Sequence, residues 1–133
     1  MNYLLDTHAL VWSHVSPREL SAKVRSLFEA GDGTFWVSAV SFWEVSIKYV
    51  IGKLDLNQTT PSELYEYSLD AGFKILNLDA KFAANFYKLT RLKNKDPFDR
   101  LLAWQAINEN MILLSKDKGF DDYKKFGLKR AWR

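Results

Sequence analysis

The sequence predicts one α/β domain in which a short parallel sheet carries helices on both faces. Three observations predict it. Short apolar runs alternate with longer segments whose apolar residues recur at helical spacing, which is the pattern of strands joined by helical crossovers. The length, 133 residues, suits a single hydrophobic core, so one domain spanning 1–133 is expected. No repeat, low-complexity tract or linker interrupts the alternation.

Tyr3-Leu4-Leu5 forms the first strand, and His8 to Ser13 reads as a helical turn or two. Pro17 opens a helix running to about Glu29, with Leu20, Val24, Leu27 and Phe28 on one face. Gly31-Asp32-Gly33 is a turn before the strand Thr34–Val37, whose aromatic and β-branched content suits a buried position. Ser38 caps a helix reaching Val50 or Ile51, and Gly52 stops it. Thr60-Pro61 starts the next helix. Phe73 to Leu76 is a weak strand, and Asp79 caps a helix carrying Phe82, Ala83, Phe86, Tyr87 and Leu89. The clearest helix runs from Pro97 to Asn110, followed by the best strand, Met111–Leu114. Leu128 to Trp132 adds an edge strand.

Apolar residues make up 47% of the chain and charged residues 26%, the balance of a folded soluble protein. No cysteine is present, which excludes disulfides and thiolate metal sites and suits a reducing cytoplasm. His8 and His14 are the only histidines, too few for a His-rich zinc centre. A metal would be held by oxygen, which points to Mg²⁺ or Mn²⁺. The N-terminus lacks the pattern of a secretion signal, and no apolar stretch is long enough to span a membrane. The net charge of +3 is unevenly spread: residues 1–115 carry 12 basic and 13 acidic side chains, and residues 116–133 carry 7 and 3. Arg91, Lys93, Lys95 and Arg100 form a second basic group. Such stripes hold the phosphates of a polyanion or are simply solvated surface.

Each acid in turn has a structural and a chemical reading. Asp6 directly follows the first strand, where it caps a helix or holds a cation, with the Thr7 hydroxyl available to either. Glu44 lies among large apolar neighbours, four residues before Lys48, and a buried carboxylate there needs a partner. Asp96-Pro97-Phe98-Asp99-Arg100 is a helix start in which capping alone accounts for Asp96 and the helix dipole for Asp99. Asp117, in Ser115-Lys116-Asp117-Lys118-Gly119, reads as a turn residue. Placement gives these acids a joint meaning. Asp6 and Asp117 both follow parallel strands, where ligands of open α/β sheets bind, and Asp99 opens the helix leading into the second of them. If the two strands are neighbours, the acids share one cleft, and their repulsion calls for a divalent ion.

Five blocks, in this order, cover nearly the whole chain: Tyr3-Leu4-Leu5-Asp6-Thr7-His8-Ala9-Leu10-Val11-Trp12; Val37-Ser38-Ala39-Val40-Ser41-Phe42-Trp43-Glu44-Val45-Ser46-Ile47-Lys48; Gly52-Lys53-Leu54; Asp96-Pro97-Phe98-Asp99-Arg100-Leu101-Leu102-Ala103-Trp104-Gln105-Ala106; and Leu113-Leu114-Ser115-Lys116-Asp117. With them the sequence resembles the PIN-domain ribonucleases, specifically the VapC-like toxins of bacterial type II toxin–antitoxin pairs. The resemblance implies a three-layer α/β/α sandwich and a Mg²⁺- or Mn²⁺-dependent endoribonuclease. It assigns Asp6, Glu44, Asp99 and Asp117 as the catalytic acids. Asp6 and Asp99 are expected as direct metal ligands, with Asp117 completing the site directly or through water, Glu44 positioning water, and Asp96 a secondary candidate. Lys93, Lys95, Arg100, Lys116 and Lys118 would track the RNA backbone. Trp12, Trp36, Trp43, Trp104 and Trp132 are read as core before stacking platforms. A small cognate antitoxin, docking beside Phe42 and Trp43, and a homodimer are further implications. Two departures from the pattern stand out: many relatives carry His where this chain has Asn94, and some take their last acid further on, which makes Asp121 and Asp122 weaker candidates.

Rival readings are a PIN nuclease of RNA processing with no toxin role, a phosphotransferase with Asp6 as nucleophile, and a non-catalytic RNA- or protein-binding module. The phosphotransferase pattern wants a second Asp where His8 stands. The binding module predicts that Asp6→Asn and Asp99→Asn change neither RNA cleavage nor metal response.

Overall fold

The computed structural model describes residues 1–93 and 95–133; Asn94 lies outside the described residues. Five strands form one parallel sheet: β1 (Asn2–Leu5), β2 (Thr34–Ser38), β3 (Lys74–Leu76), β4 (Ile112–Leu114) and β5 (Lys129–Ala131), in the order β3-β2-β1-β4-β5. Six α-helices connect them: α1 (Thr7–Val15), α2 (Ala22–Ala30), α3 (Ala39–Val50), α4 (Pro61–Asp70), α5 (Ala80–Asn85) and α6 (Pro97–Asn108). Two apolar clusters fill the domain. One contains Leu5, Leu10, Val24, Val37 and Leu64, the other Leu4, Leu102, Leu113, Phe120 and Tyr123. Leu4 and Leu5 are adjacent on β1 and enter different clusters because successive strand side chains point to opposite faces. The central strand is therefore buried on both sides, as a helix-covered parallel sheet requires.

Most helix starts follow side-chain chemistry. Asp6, Ser21, Ser38, Thr60, Asp79 and Asp96 each accept a bond from a first-turn amide of α1 to α6 in that order. Thr60 and Glu63 form a reciprocal capping box, a device worth about 1 kcal/mol.

Three boundaries depart from expectation. The helix expected from Pro17 is broken: Pro17–Glu19 is one 3-10 turn, Leu20 is extended and buried, and Ser21 caps a new helix. The expected helix from Asp79 ends at Asn85 and continues as a 3-10 turn over Phe86–Lys88. Between β4 and β5 lies a 3-10 segment, Lys118–Phe126, where sequence reading gives only a turn. Its apolar residues Phe120, Tyr123 and Phe126 recur every third residue, the period of a 3-10 helix.

The chain leaves β1 for β2 and β3 on one side, then returns to β4 and β5 on the other. The reversal in strand order falls between β1 and β4, and the crevice outside their carboxyl ends is where open α/β sheets place ligands. No helix among the described residues is long and apolar enough to cross a membrane.

Candidate active site

Leu5 pairs with Leu114 across β1 and β4, so the residues that follow them, Asp6 and the Ser115–Asp117 turn, share one crevice. The Asp6 amide donates to the Leu114 carbonyl at 3.1 Å. Asp6 is 5% exposed, and one carboxylate oxygen accepts from the Ala9 amide at 2.8 Å. Burial pushes its carboxyl above the ordinary 3.8, and the Asp117 charge pushes further; the Ser115 hydroxyl, the Ala9 amide and His8 act in the opposite direction without cancelling the rise. The Asp117 carboxylate is exposed and bonds the Gly119 amide at 2.8 Å. Buried Ser115 stands between the two acids: its side chain lowers the Asp6 pKa, and its hydroxyl oxygen accepts from the Asp117 amide at 3.0 Å.

A second acidic group gathers one helix away. Glu44, on α3, is 4% exposed. Thr7 Oγ1 lies 2.7 Å from Glu44 Oε1 and 3.1 Å from Ser41 Oγ. A hydroxyl has one proton, so Thr7 donates to the carboxylate and accepts from Ser41. The other Glu44 oxygen is ion-paired with Lys48 one turn on. The Lys48 ammonium is held above its ordinary pKa by Glu44 first, with the charges of Asp96 and Asp99 adding to it. Helix α6 is brought there by two contacts. The Trp43 and Phe98 rings meet edge-on at 5.2 Å, and the buried Ser38 hydroxyl bonds Gln105 Oε1 at 2.5 Å. Asp96 caps α6 through the Phe98 and Asp99 amides.

Of the expected acids, Asp117 acts on Asp6, Glu44 is bound by Thr7 next to Asp6 in the chain, and the charges of Asp96 and Asp99 reach Lys48 beside Glu44. No three of them converge closely enough to chelate an ion among the described residues. The donors are nonetheless all hard carboxylate oxygens. Asp6 is desolvated beside a second negative charge, a condition that a divalent cation relieves. Mg²⁺ keeps several of its own waters and needs few protein bonds, so the residues present fit such an ion. Lys48 already supplies a positive charge to the Glu44 group.

Sequence reading gives no role to Ser115 or Ser41, and for Lys48 it gives the i,i+4 pairing with Glu44 that the structure contains. The signal of the two serines is position alone: each stands within three or four residues of an acid, and only the fold shows which way they turn. Asp121, a weaker candidate, accepts two bonds from Arg130 at 2.8 and 3.0 Å, while Asp122 is exposed. Of the basic residues, Lys93, Lys95, Lys116 and Lys118 are exposed. Arg100 is half-buried, its guanidinium 4.7 Å from the Phe86 ring centre. Trp132 is core and Trp12, Trp36 and Trp104 are half-buried, but Trp43 is 56% exposed.

The family description that matches this chain is the PIN domain, over residues 3–126. The chain belongs to the PIN-domain family. Among solved structures, this PIN domain is similar to VapBC2 from Rickettsia felis bound to a DNA fragment from their promoter, with 20% identity, complete coverage of both chains and a TM-score of 0.67. It is also similar to FitAB bound to an IR36 DNA fragment, at 20% identity and a TM-score of 0.65, covering 97% of this chain and 93% of that one. VapBC-1 from nontypeable Haemophilus influenzae matches at 16% identity and a TM-score of 0.64, covering 98% and 97%. No curated protein matches the chain.

Proposed function

We propose that this PIN domain is a divalent-metal-dependent endoribonuclease, the toxin of a toxin–antitoxin pair. The observation that carries the reading is Asp6: a buried carboxylate on the central strand, at the strand-order reversal, beside Asp117. Asp6 and Asp117 would hold a Mg²⁺ or Mn²⁺ ion from the β1–β4 side, and Asp99 from the start of α6. When bound, the ion supplies positive charge against the scissile phosphate and acidifies the attacking water.

The chain's own residues do the rest. Ser115 fixes the two acids relative to each other, and Thr7 fixes Glu44, which would orient the water for in-line attack. Lys48 keeps the Glu44 group compact. Exposed Lys93, Lys95, Lys116 and Lys118 would attract the RNA backbone, with a strong salt dependence, and Arg100 would steady the α6 start from its place against Phe86.

Apolar side chains left in solvent on α3 and α4 support a protein partner: Trp43, Ile47, Tyr65 and Leu69 are exposed, as is Val50 at 81%. A helix or extended tail of a small antitoxin would cover this face, as would part of a homodimer contact. The complexes named VapBC and FitAB among the structural neighbours support the pairing.

The test is 5′-end mapping of cellular RNA after brief induction of the wild type and of Asp6→Asn. The reading expects new ends carrying 5′-phosphate in the wild type and none in the variant. Cyclic-phosphate products, which implicate the RNA's own 2′-hydroxyl, or equal cleavage by Asp6→Asn would overturn it.

A further inference from the structure

Beside the acidic crevice, on the β5 side, lies a pocket of about 450 Å³ lined by Lys23, Lys116, Lys118, Arg130, Trp132 and Arg133. Three separate segments build it. Lys23 stands in the first turn of α2, Lys116 and Lys118 flank Asp117 after β4, and Arg130 to Arg133 run through and beyond β5. The Ser21 hydroxyl, which caps α2, bonds the Trp132 carbonyl and ties the first wall to the last.

Five cations in one small space repel one another unless something negative joins them. Among the described residues, only Arg130 of the five is ion-paired. Arg130 is clamped by Asp121 and by the Ser115 carbonyl at 2.9 Å. Lys23, Lys116, Lys118 and Arg133 form no ion pair among the described residues. The clamp on Arg130 sets the shape of the pocket and leaves four exposed charges to face an outside anion.

We propose that this pocket binds backbone phosphates of the single-stranded RNA segment adjoining the scissile bond. The inference rests on the ribonuclease reading above and adds Lys23, Arg130 and Arg133 to the substrate contacts. Continuity with the acids favours a chain over a free anion, because Lys116 and Lys118 alternate with Asp117. A strand whose scissile phosphate lies at Asp117 has its neighbouring phosphates beside these ammonium groups. The lining favours phosphate over base recognition. Its one aromatic ring, Trp132, is 5% exposed and offers no face for a base to stack on. Binding here is expected to be indifferent to sequence and sensitive to salt.

The test measures binding of a fluorescein-labelled oligouridylate to the full chain in EDTA, by anisotropy across a potassium chloride series. The variants are Lys23→Gln/Arg133→Gln and, as a control remote from the pocket, Lys53→Gln/Lys81→Gln. The pocket variant is expected to bind about tenfold more weakly at low salt, and its salt slope should fall by about 0.7 for each phosphate that the substitutions release. The melting temperature should stay unchanged, and each single substitution should give a part of the weakening. Wild-type affinity and slope in the pocket variant, or an equal weakening in the control pair, would overturn the proposal. Displacement of the RNA by polyglutamate at equal charge, with inorganic phosphate ineffective, would also overturn it and point to an acidic protein segment. Because no metal is present, the result is independent of cleavage. A catalytically intact Asp6→Asn removes the nuclease reading and with it the placement of this RNA beside a scissile bond, whereas an unaffected pocket variant beside an inactive Asp6→Asn removes only the pocket.

Discussion

Ionising Asp6 costs the fold stability. Its folded pKa lies above the ordinary 3.8 because burial disfavours the carboxylate. For an acid whose pKa is raised by folding, the ionised state destabilises the fold at every pH above the folded value. The cost shrinks as pH falls through that value and vanishes below the unfolded one, where both states are protonated. Metal-free Asp6→Asn, which keeps an acceptor for the Ala9 amide, is therefore expected to melt higher than the wild type at neutral pH. The two curves should converge as the pH approaches 3.8. A variant less stable than wild type in EDTA would show that Asp6 serves the fold and not a ligand. Lys48 has the opposite character. Its ammonium pairs with a buried carboxylate, and Lys48→Met leaves that charge without its partner. The expected loss is about 1–3 kcal/mol in urea unfolding, with most of it restored in Lys48→Arg.

At the scale of elements, legibility follows the local chemistry. Helices whose starts depend on one side chain are readable: Ser38, Thr60-Pro61, Asp79 and Asp96-Pro97 each open a helix at the expected residue. The break at Leu20 is not, since it depends on burying that side chain in a core cluster whose other members come from many parts of the chain. The 3-10 segment from Lys118 to Phe126 is hidden because its residues favour turns. Its regular form comes from packing Phe120 and Tyr123 into the core and from the Asp121–Arg130 pair. That pair lowers the Asp121 pKa, through the Arg130 bonds first. An acid with a depressed folded pKa stabilises above its unfolded value and loses the contribution as pH falls through the folded one. Asp121→Asn should thus lower the melting temperature at neutral pH, with the difference fading below 3.8. A difference that persists unchanged in strong acid would show that the pair's charge contributes nothing. For the candidate site, the acids are legible as residues, and the approach of Asp6 to Asp117 is expected on one condition. The Asp6–Asp117 approach needs β1 and β4 to be neighbours, which the sheet shows. That the charges of Asp96 and Asp99 reach Lys48 beside Glu44 depends on how α3 meets α6, two helices far apart in the chain.

The whole molecule places its charge in the same order as its strands. The central strand ends in a desolvated acid, its neighbour β4 ends in an exposed one, and the edge strand β5 closes a basic pocket. A polyanion laid along this edge would meet cations first and acids next, and a divalent ion would have to separate its phosphate from Asp6. Cation binding at the strand-order reversal is thus the claim on which the proposed function depends. The direct measurement is the melting temperature of the wild type and of Asp6→Asn as Mn²⁺ is titrated into EDTA-treated protein. A ligand that binds only the folded state raises stability by mass action, by about 2.7 kcal/mol at a hundred times its Kd. The wild type should rise steadily with millimolar Mn²⁺ while Asp6→Asn stays level. A wild type indifferent to Mn²⁺, or a variant that rises with it equally, would contradict that claim.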